Sequence, residues 1–460
     1  MTDSLRIYNT QSRSLETFAT IEPGKVRMYV CGVTPYASAH IGHAMSAIVF
    51  DVIKRYLTFL GYEVRHAINF TDIDDKIIAR AAEQGRTPDD LTEELIQDWL
   101  RELGDLNVVP ANVYPRATQE IQEIVETIEG LIAGCHAYER DGDVYYRVRS
   151  FEGYGKLSHR SVDDLLSGAR IEVDDRKDDP LDFALWKAAK PGEPTWPSPW
   201  GDGRPGWHIE CSAMCAHHLG GAVDIHGGGA DLIFPHHENE IAQSEAYLGT
   251  EPFARYWVHN GLLQLGNEKM SKSTGEMVSV EDLVSSRRQN GFRLFVLQSH
   301  YRKPLTYTEM ALEAAQTGFE RLLAAARGGN GAWTDSADID EDIRASFVEA
   351  MSDDVDTPRA IATLFDLARD INRRAAAGED VESRRRSLGA LLMILGFDLQ
   401  PSENHAPDDI GPFVDLLLVI REELRAAKQW ALSDRIRDDL AKLGVAIADA
   451  PTGATWQRTR

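Results

Sequence analysis

A chain of 460 residues is too long for one ordinary core, and its 43% apolar share is ordinary for folded protein. A formal net charge of −24 repels polyanions at long range and, taken alone, argues against nucleic-acid binding. There is no apolar run near the ~18 residues of a membrane span and no apolar signal core in MTDSLRIYNTQSRS, so the expectation is a cytoplasmic protein with no membrane contact. Lysine is scarce, 12 against 37 arginines, which fits a high-salt cytoplasm or a GC-rich genome.

Residues 26–30 (VRMYV) read as a short buried strand. From Met45 to Leu60 the residues Ile48, Val49, Val52, Ile53, Tyr56, Leu57 and Leu60 recur at helical spacing, and Gly61 ends the helix. EVRHAINF follows as a strand. Strand, loop, helix and strand make a βαβ unit, which builds a parallel sheet and binds ligands at the carboxyl ends of its strands. TPDDLTEELIQDWLREL is a helix with Thr87 at its N-cap and Pro88 in its first position. Residues 116–134 read as a helix and GDVYYRVR as a strand. Residues 190–206 (KPGEPTWPSPWGDGRPG) are dense in Pro and Gly and mark a loop or boundary, with a turn at Arg204-Pro205-Gly206. WHIECSAMCAHHLG is a helix. Beyond residue 292 the pattern is mostly helical, through GFRLFVLQSHYR, EAAQTGFERLLAAAR, AIATLFDLARDINRRAAA and RRSLGALLMILG. Residues 400–412 have linker composition, and two helices and a VAIADA/ATWQR hairpin close the chain.

Two short motifs carry phosphate chemistry. His40-Ile41-Gly42-His43 lies in the first βα loop, where glycine admits a ring or phosphate close to the backbone and two imidazoles can donate to a phosphate gaining charge. Lys269 and Lys272, in GNEKMSKSTGE, are point charges on long stems suited to a departing polyphosphate. Each motif alone is a common structural pattern. Together they are the signature pair of class I aminoacyl-tRNA synthetases.

The stretch DIHGGGADLIFPHHENEIAQSE points to a metal. With Pro235 opening a helix, His236 and Glu240 are i and i+4 on one face and His237 points elsewhere. Two thiolates would complete a tetrahedral zinc site. Cys31 ends the first strand beside the nucleotide loop, and Cys211 follows the turn at Arg204–Gly206. A rival set uses Cys211 and Cys215, one turn apart, with His208. It ranks lower because Cys31 would then need another reason to sit at the mouth of the site. Cys135 reads as a core residue.

With these motifs in view the whole chain, from LRIYNT to TGATWQR, resembles the cysteinyl-tRNA synthetases. The most specific pieces are MYVCGVTPYASAHIGHA, NFTDIDDKII, PSPWGDGRPGWHIECSAM, DIHGGGADLIFPHHENEIAQSE and KMSKS. The resemblance implies one Zn2+ on Cys31, Cys211, His236 and Glu240 that recognises the substrate side chain. It implies ATP with Mg2+, L-cysteine and tRNA(Cys) as partners, a monomer, and catalytic His40, Gly42, His43, Lys269 and Lys272, of which His40, His43 and Lys272 touch ATP. Thr71, Trp207, His226 and Asp231 would line the cysteine pocket, with Gly227–Gly229 as a loop close to substrate. Trp430, Asp434 and Asp449 would face tRNA. One departure stands out: Thr274-Gly275-Glu276 replaces the usual Leu-Gly-Asn after KMSKS, which implies altered loop kinetics.

The expected fold is α/β: a Rossmann-like parallel-sheet catalytic domain (1–115 and 201–262) with a connective insertion (116–200). A KMSKS-bearing stem-contact region (263–312), a helical tRNA-binding bundle (313–399), a linker (400–412) and a small α+β anticodon domain (413–460) would follow. A metal–sulfur bond should make an editing domain unnecessary, and the short insertion agrees. Ligases that share this core but acylate an amino-sugar lack the C-terminal module, so the tail favours tRNA.

Overall fold

The computed structural model describes residues 5–161, 176–266, 278–327, 339–399, 411–442, 444–450 and 453–458. A hairpin of β1 (Arg6–Asn9) and β2 (Ser14–Thr17) leads into the βαβ unit: β3 (Lys25–Val30), α1 (Ile41–Phe59) and β4 (Glu63–Ile68). Then come α2 (Asp75–Gln84) and α3 (Pro88–Asp105). The Thr87 side chain accepts from the Asp90 amide at the start of α3, as its sequence dictates.

After α4 (Ile121–Ala133), an antiparallel sheet forms from β5 (Ala137–Arg140), β6 (Asp143–Tyr146), β7 (Phe183–Ala188) and β8 (Gly203–Pro205). The last strand lies past the boundary at 200 drawn from the sequence. Arg204 and Pro205 are therefore strand residues, not a turn. Trp186 pairs with Pro205 and Trp196 with Gly203, so the Pro/Gly-rich stretch folds back onto the sheet.

The chain continues with α5 (Trp207–Leu219), β9 (Val223–Gly229), α6 (Glu238–Leu248), β10 (Ala254–Asn260) and β11 (Leu263–Leu265). Next are α7 (Val280–Ser285), α8 (Gln289–Leu297), β12 (Leu305–Tyr307), α9 (Glu309–Ala326), α10 (Glu341–Met351), α11 (Thr357–Ala376) and α12 (Glu382–Ile394). Finally α13 (Gly411–Ala426), α14 (Trp430–Lys442) and the hairpin β13 (Val445–Ala450) and β14 (Gly453–Arg458) follow.

The central sheet has the order β10-β9-β3-β4, and every pair is parallel. Parallel strands are covered on both faces, so they read as apolar runs. Val26, Met28, Tyr29, Val30, Ile225 and Val258 are buried accordingly. From β3 the chain crosses through α1 to β4 on one side, and it later returns as β9 on the other. The carboxyl ends of β3 and β9 thus flank the switch point where such sheets bind ligands. There the Cys31 amide donates to the Gly227 carbonyl at 3.0 Å.

One expectation for the opening stretch of the metal motif is corrected. Gly227, Gly228 and Gly229 are the last residues of β9, in register with Val258, His259 and Asn260 of β10, and do not form a loop. A Cβ on Gly227 would fall 2.2 Å from the Phe50 ring of α1, so this strand residue must be glycine for the helix to pack. Pro235 opens the helical run as expected: Phe234 before it is extended (φ −142°, ψ 131°) and is the one residue of Ile233–His237 with non-helical dihedrals, so Pro235, His236 and His237 lead directly into α6.

Buried ion pairs tie α1 to the helices that follow. Asp51 of α1 accepts from Arg293 of α8 at 2.7 Å and from Arg55 at 2.9 Å. Arg293 also donates to the carbonyls of Leu106 and Leu395 at 2.8 and 3.2 Å. The helices α9 to α12 supply Leu322, Phe347, Ile361, Leu364, Leu388 and Leu391 to the same core as α1.

The chain divides into two compact units, Met1–Leu399 and Gln400–Arg460. The second has its own small core of Val414, Leu418, Leu440 and Val445, and Trp456 donates to Asp415 at 2.9 Å within it. Among the described residues no helix is long and apolar enough to cross a membrane. Cys135, expected in a core, is exposed just after α4 with φ 62°.

Candidate active site and metal centre

A cleft of about 470 Å³ opens at the carboxyl ends of the parallel strands, lined in part by Cys31, His40, His43, Trp207 and Asp231. His40 caps α1. Its Nδ1 accepts from the Gly42 amide at 3.1 Å, and its own amide donates to His43 Nδ1 at 3.3 Å. The two rings stack with centroids 3.8 Å apart. Both Nδ1 atoms act as acceptors, so each neutral ring carries its proton on Nε2. Burial holds the His40 imidazole below its ordinary pKa. Burial and the neighbouring His40 push His43 down to about 4. At neutral pH the pair therefore offers two uncharged N–H donors.

Lys269 and Lys272, with Thr274-Gly275-Glu276, lie outside the described residues. Val278 lies directly against the histidine loop. The Ile41 amide donates to the Val278 carbonyl at 3.0 Å, and the Val280 amide donates to the Ala39 carbonyl at 3.1 Å.

At the cleft's inner end one ligand atom each from Cys31, Cys211, His236 and Glu240 comes within 4.8 Å of the others. Cys31 Sγ is 3.7 Å from Cys211 Sγ and 3.2 Å from Glu240 Oε1. His236 Nε2 is 3.1 Å from the same Oε1. Three segments supply these side chains: the end of β3, the first turns of α5, and the turn into α6. Cys211, His236 and Glu240 are fully buried, a costly place for charge unless groups pair or bind an ion.

Electrostatics follow from that closeness. The hydrogen bond with Cys31 lowers the Cys211 thiol to about 6. Burial would neutralise His236, but Glu240 and Cys211 outweigh it and raise the imidazole to about 10. Burial likewise opposes ionisation of Glu240, yet His226 and His236 hold it well below the usual carboxylate range.

A second foursome, Cys31, His226, His237 and Glu240, is equally close. In it His226 Nε2 bonds Glu240 Oε2 at 2.8 Å, and His237 bonds His259 Nε2 through Nδ1 at 2.8 Å while its Nε2 lies 3.8 Å from Glu240 Oε1. His226 thus holds one carboxylate oxygen while the other faces Cys31 and His236. Cys215 is buried and joins no such group among the described residues, so the rival set of Cys211, Cys215 and His208 is not brought together. His208 instead meets His236, Nδ1 to Nδ1, at 2.9 Å.

Of the other expected pocket residues, Trp207 and His226 touch this cluster. Trp207 stacks on His236 with centroids 4.4 Å apart, and Asp231 lies in the short turn after β9. Thr71 is buried, and its hydroxyl accepts from Asn69 Nδ2 at 3.4 Å. His226 stacks on Trp257 at 4.3 Å. Trp257 and His259, both on β10, were missed from the sequence. The signal was there, since WVHNG ends a strand of the parallel sheet.

In the C-terminal unit Trp430 is 56% exposed beneath Arg425, and Asp434 pairs with Arg437 at 3.3 Å. Asp449 lies on β13 opposite Ala454.

A parallel sheet whose first crossover helix is capped by His40-Ile41-Gly42-His43 defines a class I aminoacyl-tRNA synthetase. The methionyl-tRNA synthetase of Mycobacterium tuberculosis in complex with methionyl-adenylate has this fold, with TM-score 0.56 at 16% identity, covering 81% of this chain and 89% of that one. A putative arginyl-tRNA synthetase from Campylobacter jejuni has it too, with TM-score 0.54 at 13% identity, covering 82% and 93%.

Residues 17–317 match the family model "tRNA synthetases class I (C) catalytic domain", 346–400 the DALR domain, and 408–456 the "Cysteinyl-tRNA ligase anticodon binding domain". The cysteine–tRNA ligase of Dehalococcoides mccartyi is 52% identical over 455 residues, covering 98% of this chain and 99% of its own. Those of Halorhodospira halophila and Geobacillus thermodenitrificans are 50% and 49% identical over 463 and 471 residues, covering 99% of this chain and 100% and 99% of their own. The chain belongs to the cysteine–tRNA ligase family.

Proposed function

We propose that this protein activates L-cysteine with MgATP to cysteinyl-adenylate and passes the cysteinyl group to the 3′ end of tRNA(Cys), with Zn2+ selecting the thiol. The observation that carries the reading is the Cys31, Cys211, His236 and Glu240 cluster opening onto the cleft of His40 and His43. The donor set fits zinc. Tetrahedral bonds of roughly 2.0–2.3 Å put two sulfurs about 3.8 Å apart and mixed donors about 3.3–3.5 Å apart. The separations here are 3.7, 3.2 and 3.1 Å. When bound, the ion supplies a preference for sulfur over the hydroxyl of serine.

The residues then divide the work. Trp207, stacked on His236, walls the cysteine pocket with Thr71 and Asp231, while His226 fixes the Glu240 carboxylate from behind. The cysteine carboxylate attacks the α-phosphate and pyrophosphate leaves. The Nε2–H groups of His40 and His43 donate to the phosphate as charge builds, which costs no proton transfer because both rings are already neutral. Gly42 leaves the backbone open to the nucleotide. Lys269 and Lys272 balance the pyrophosphate. The terminal ribose hydroxyl of tRNA then attacks the acyl carbonyl and AMP leaves.

For tRNA the strong negative charge makes local arginines decisive. Among the arginines beyond the catalytic sheet, Arg288 pairs with Glu309, and Arg384 sits 3.6 and 3.4 Å from Asp342 and Asp370. Phosphates would have to compete with these acids. The C-terminal unit, with Trp430, Asp434 and Asp449, is assigned to the anticodon. We take the enzyme to be a cytoplasmic monomer.

The test is cysteine-dependent ATP–pyrophosphate exchange by zinc-loaded protein without tRNA. Exchange is expected, and its absence would overturn the reading. Lys272→Ala should slow adenylate formation far more than it weakens cysteine binding.

A further inference from the structure

Away from the cleft, the last turn of α5 meets the start of α4. His218 Nε2 lies 2.7 Å from Glu120 Oε1, and His217 Nδ1 lies 3.6 Å from Glu123 Oε1. The two imidazoles stand edge to face, with centroids 4.6 Å apart. One ligand atom from each of Glu120, His217 and His218 falls within 4.8 Å of the others. Glu120 and His218 are recessed, with side chains 12% and 19% exposed, whereas His217 is 46% exposed. The group therefore has a floor and one open side.

An isolated His–Glu hydrogen bond would explain one imidazole and one carboxylate. It does not explain the second imidazole turned to the same spot, or Glu123 standing just beyond hydrogen-bond distance of it. Both histidines also occupy the last turn of α5, where the unpaired carbonyls of the helix favour positive charge. None of these four residues lines the reaction cleft.

We propose that Glu120, His217 and His218, with Glu123 as a fourth donor, form a second metal site that clamps α4 to the end of α5. Two imidazoles and carboxylate oxygens suit a borderline divalent cation such as Zn2+, Co2+ or Ni2+. Mg2+ and Ca2+ prefer all-oxygen shells. The site contains no thiolate, which separates it spectroscopically from the cluster in the cleft. It lies seven residues along α5 from Cys211, so occupancy stiffens the helix that carries a proposed zinc ligand.

The experiment is a Co2+ titration of the untagged, metal-stripped full chain, followed by visible and near-ultraviolet absorption and by metal analysis after gel filtration. Wild type should bind two Co2+ per chain, one with thiolate charge-transfer absorption and one with d–d bands alone. Both the His217→Asn/His218→Asn variant and Glu120→Gln should keep the first and lose the second, so the stoichiometry falls from two to one. Excess Zn2+ should displace both. A wild-type chain whose Co2+ is all thiolate-bound, or a Co2+ without thiolate absorption that survives in both variants, overturns the proposal. Loss of the thiolate band with the second Co2+ retained supports this site while contradicting the zinc assignment in the cleft.

Discussion

Replacing Glu240 by Gln changes one oxygen to nitrogen and removes one charge from a fully buried site. The amide oxygen can still accept from His226 Nε2, now 2.8 Å from Oε2, so the turn into α6 should hold its shape. The lost group is the anion that Cys31 and His236 face at 3.2 and 3.1 Å. Residues that merely support a metal ligand cost roughly 10–100-fold in metal affinity when removed. A direct ligand should cost at least the upper figure, about 100-fold or about 2.7 kcal/mol. Zinc competition against a chromophoric chelator reads that loss directly. Cysteine KM in ATP–pyrophosphate exchange should rise steeply in parallel, while the KM for ATP stays within a few-fold. Unchanged zinc affinity and cysteine KM in a folded Glu240→Gln protein would refute the ligand assignment.

Other outcomes follow from the fold. Arg293→Met removes the buried partner of Asp51. Breaking a buried pair costs about 3–5 kcal/mol, and the remaining Arg55 contact places the loss near the lower end, to be read from urea denaturation. Gly227→Ala drives a Cβ into the Phe50 ring and should cost about 1–3 kcal/mol, with partial rescue by Phe50→Leu; additive losses would contradict the packing argument. Burial lowers His66 to about 3, so its folded pKa lies below its unfolded value. Its contribution is present above about pH 6.5 and is lost as pH falls, by about 2 kcal/mol at pH 5. His66→Gln should flatten the fall in stability between pH 7 and 5, and an unchanged slope would count against it. The KM for tRNA should climb from 50 to 200 mM KCl while exchange without tRNA barely responds. Full activity and stability in that range would also remove the high-salt reading of the composition.

The βαβ unit was legible because α1 shows an apolar period of 3.6 residues and β3 an apolar run, both local signals. The stretch around Gly227 was not: glycines carry no side chain to alternate, and only the distant Phe50 reveals why they are needed. The start of the helical run at Pro235 was legible, because a proline after an extended residue is a local signal. Strand β8 depends on pairing with Lys187 and Trp186, which no short-range pattern announces. Within the site, residue types and chain punctuation marked Cys31, Cys211, His236 and Glu240. The supporting layer of His226, Trp257 and His259 arises from strands brought side by side only in the folded sheet. The protonation of His40 and His43 was equally hidden, because it rests on burial and on the capping bonds of α1.

The most direct measurement compares cysteine with serine in ATP–pyrophosphate exchange, using zinc-loaded protein and the same protein stripped of metal. A pocket without metal separates such near-isosteres by only about 10–200-fold. Zinc-loaded protein should exceed that range by orders of magnitude, and stripping should bring the preference down into it until zinc is restored. Undiminished discrimination by metal-free, exchange-active protein would contradict the claim that a bound ion chooses the substrate.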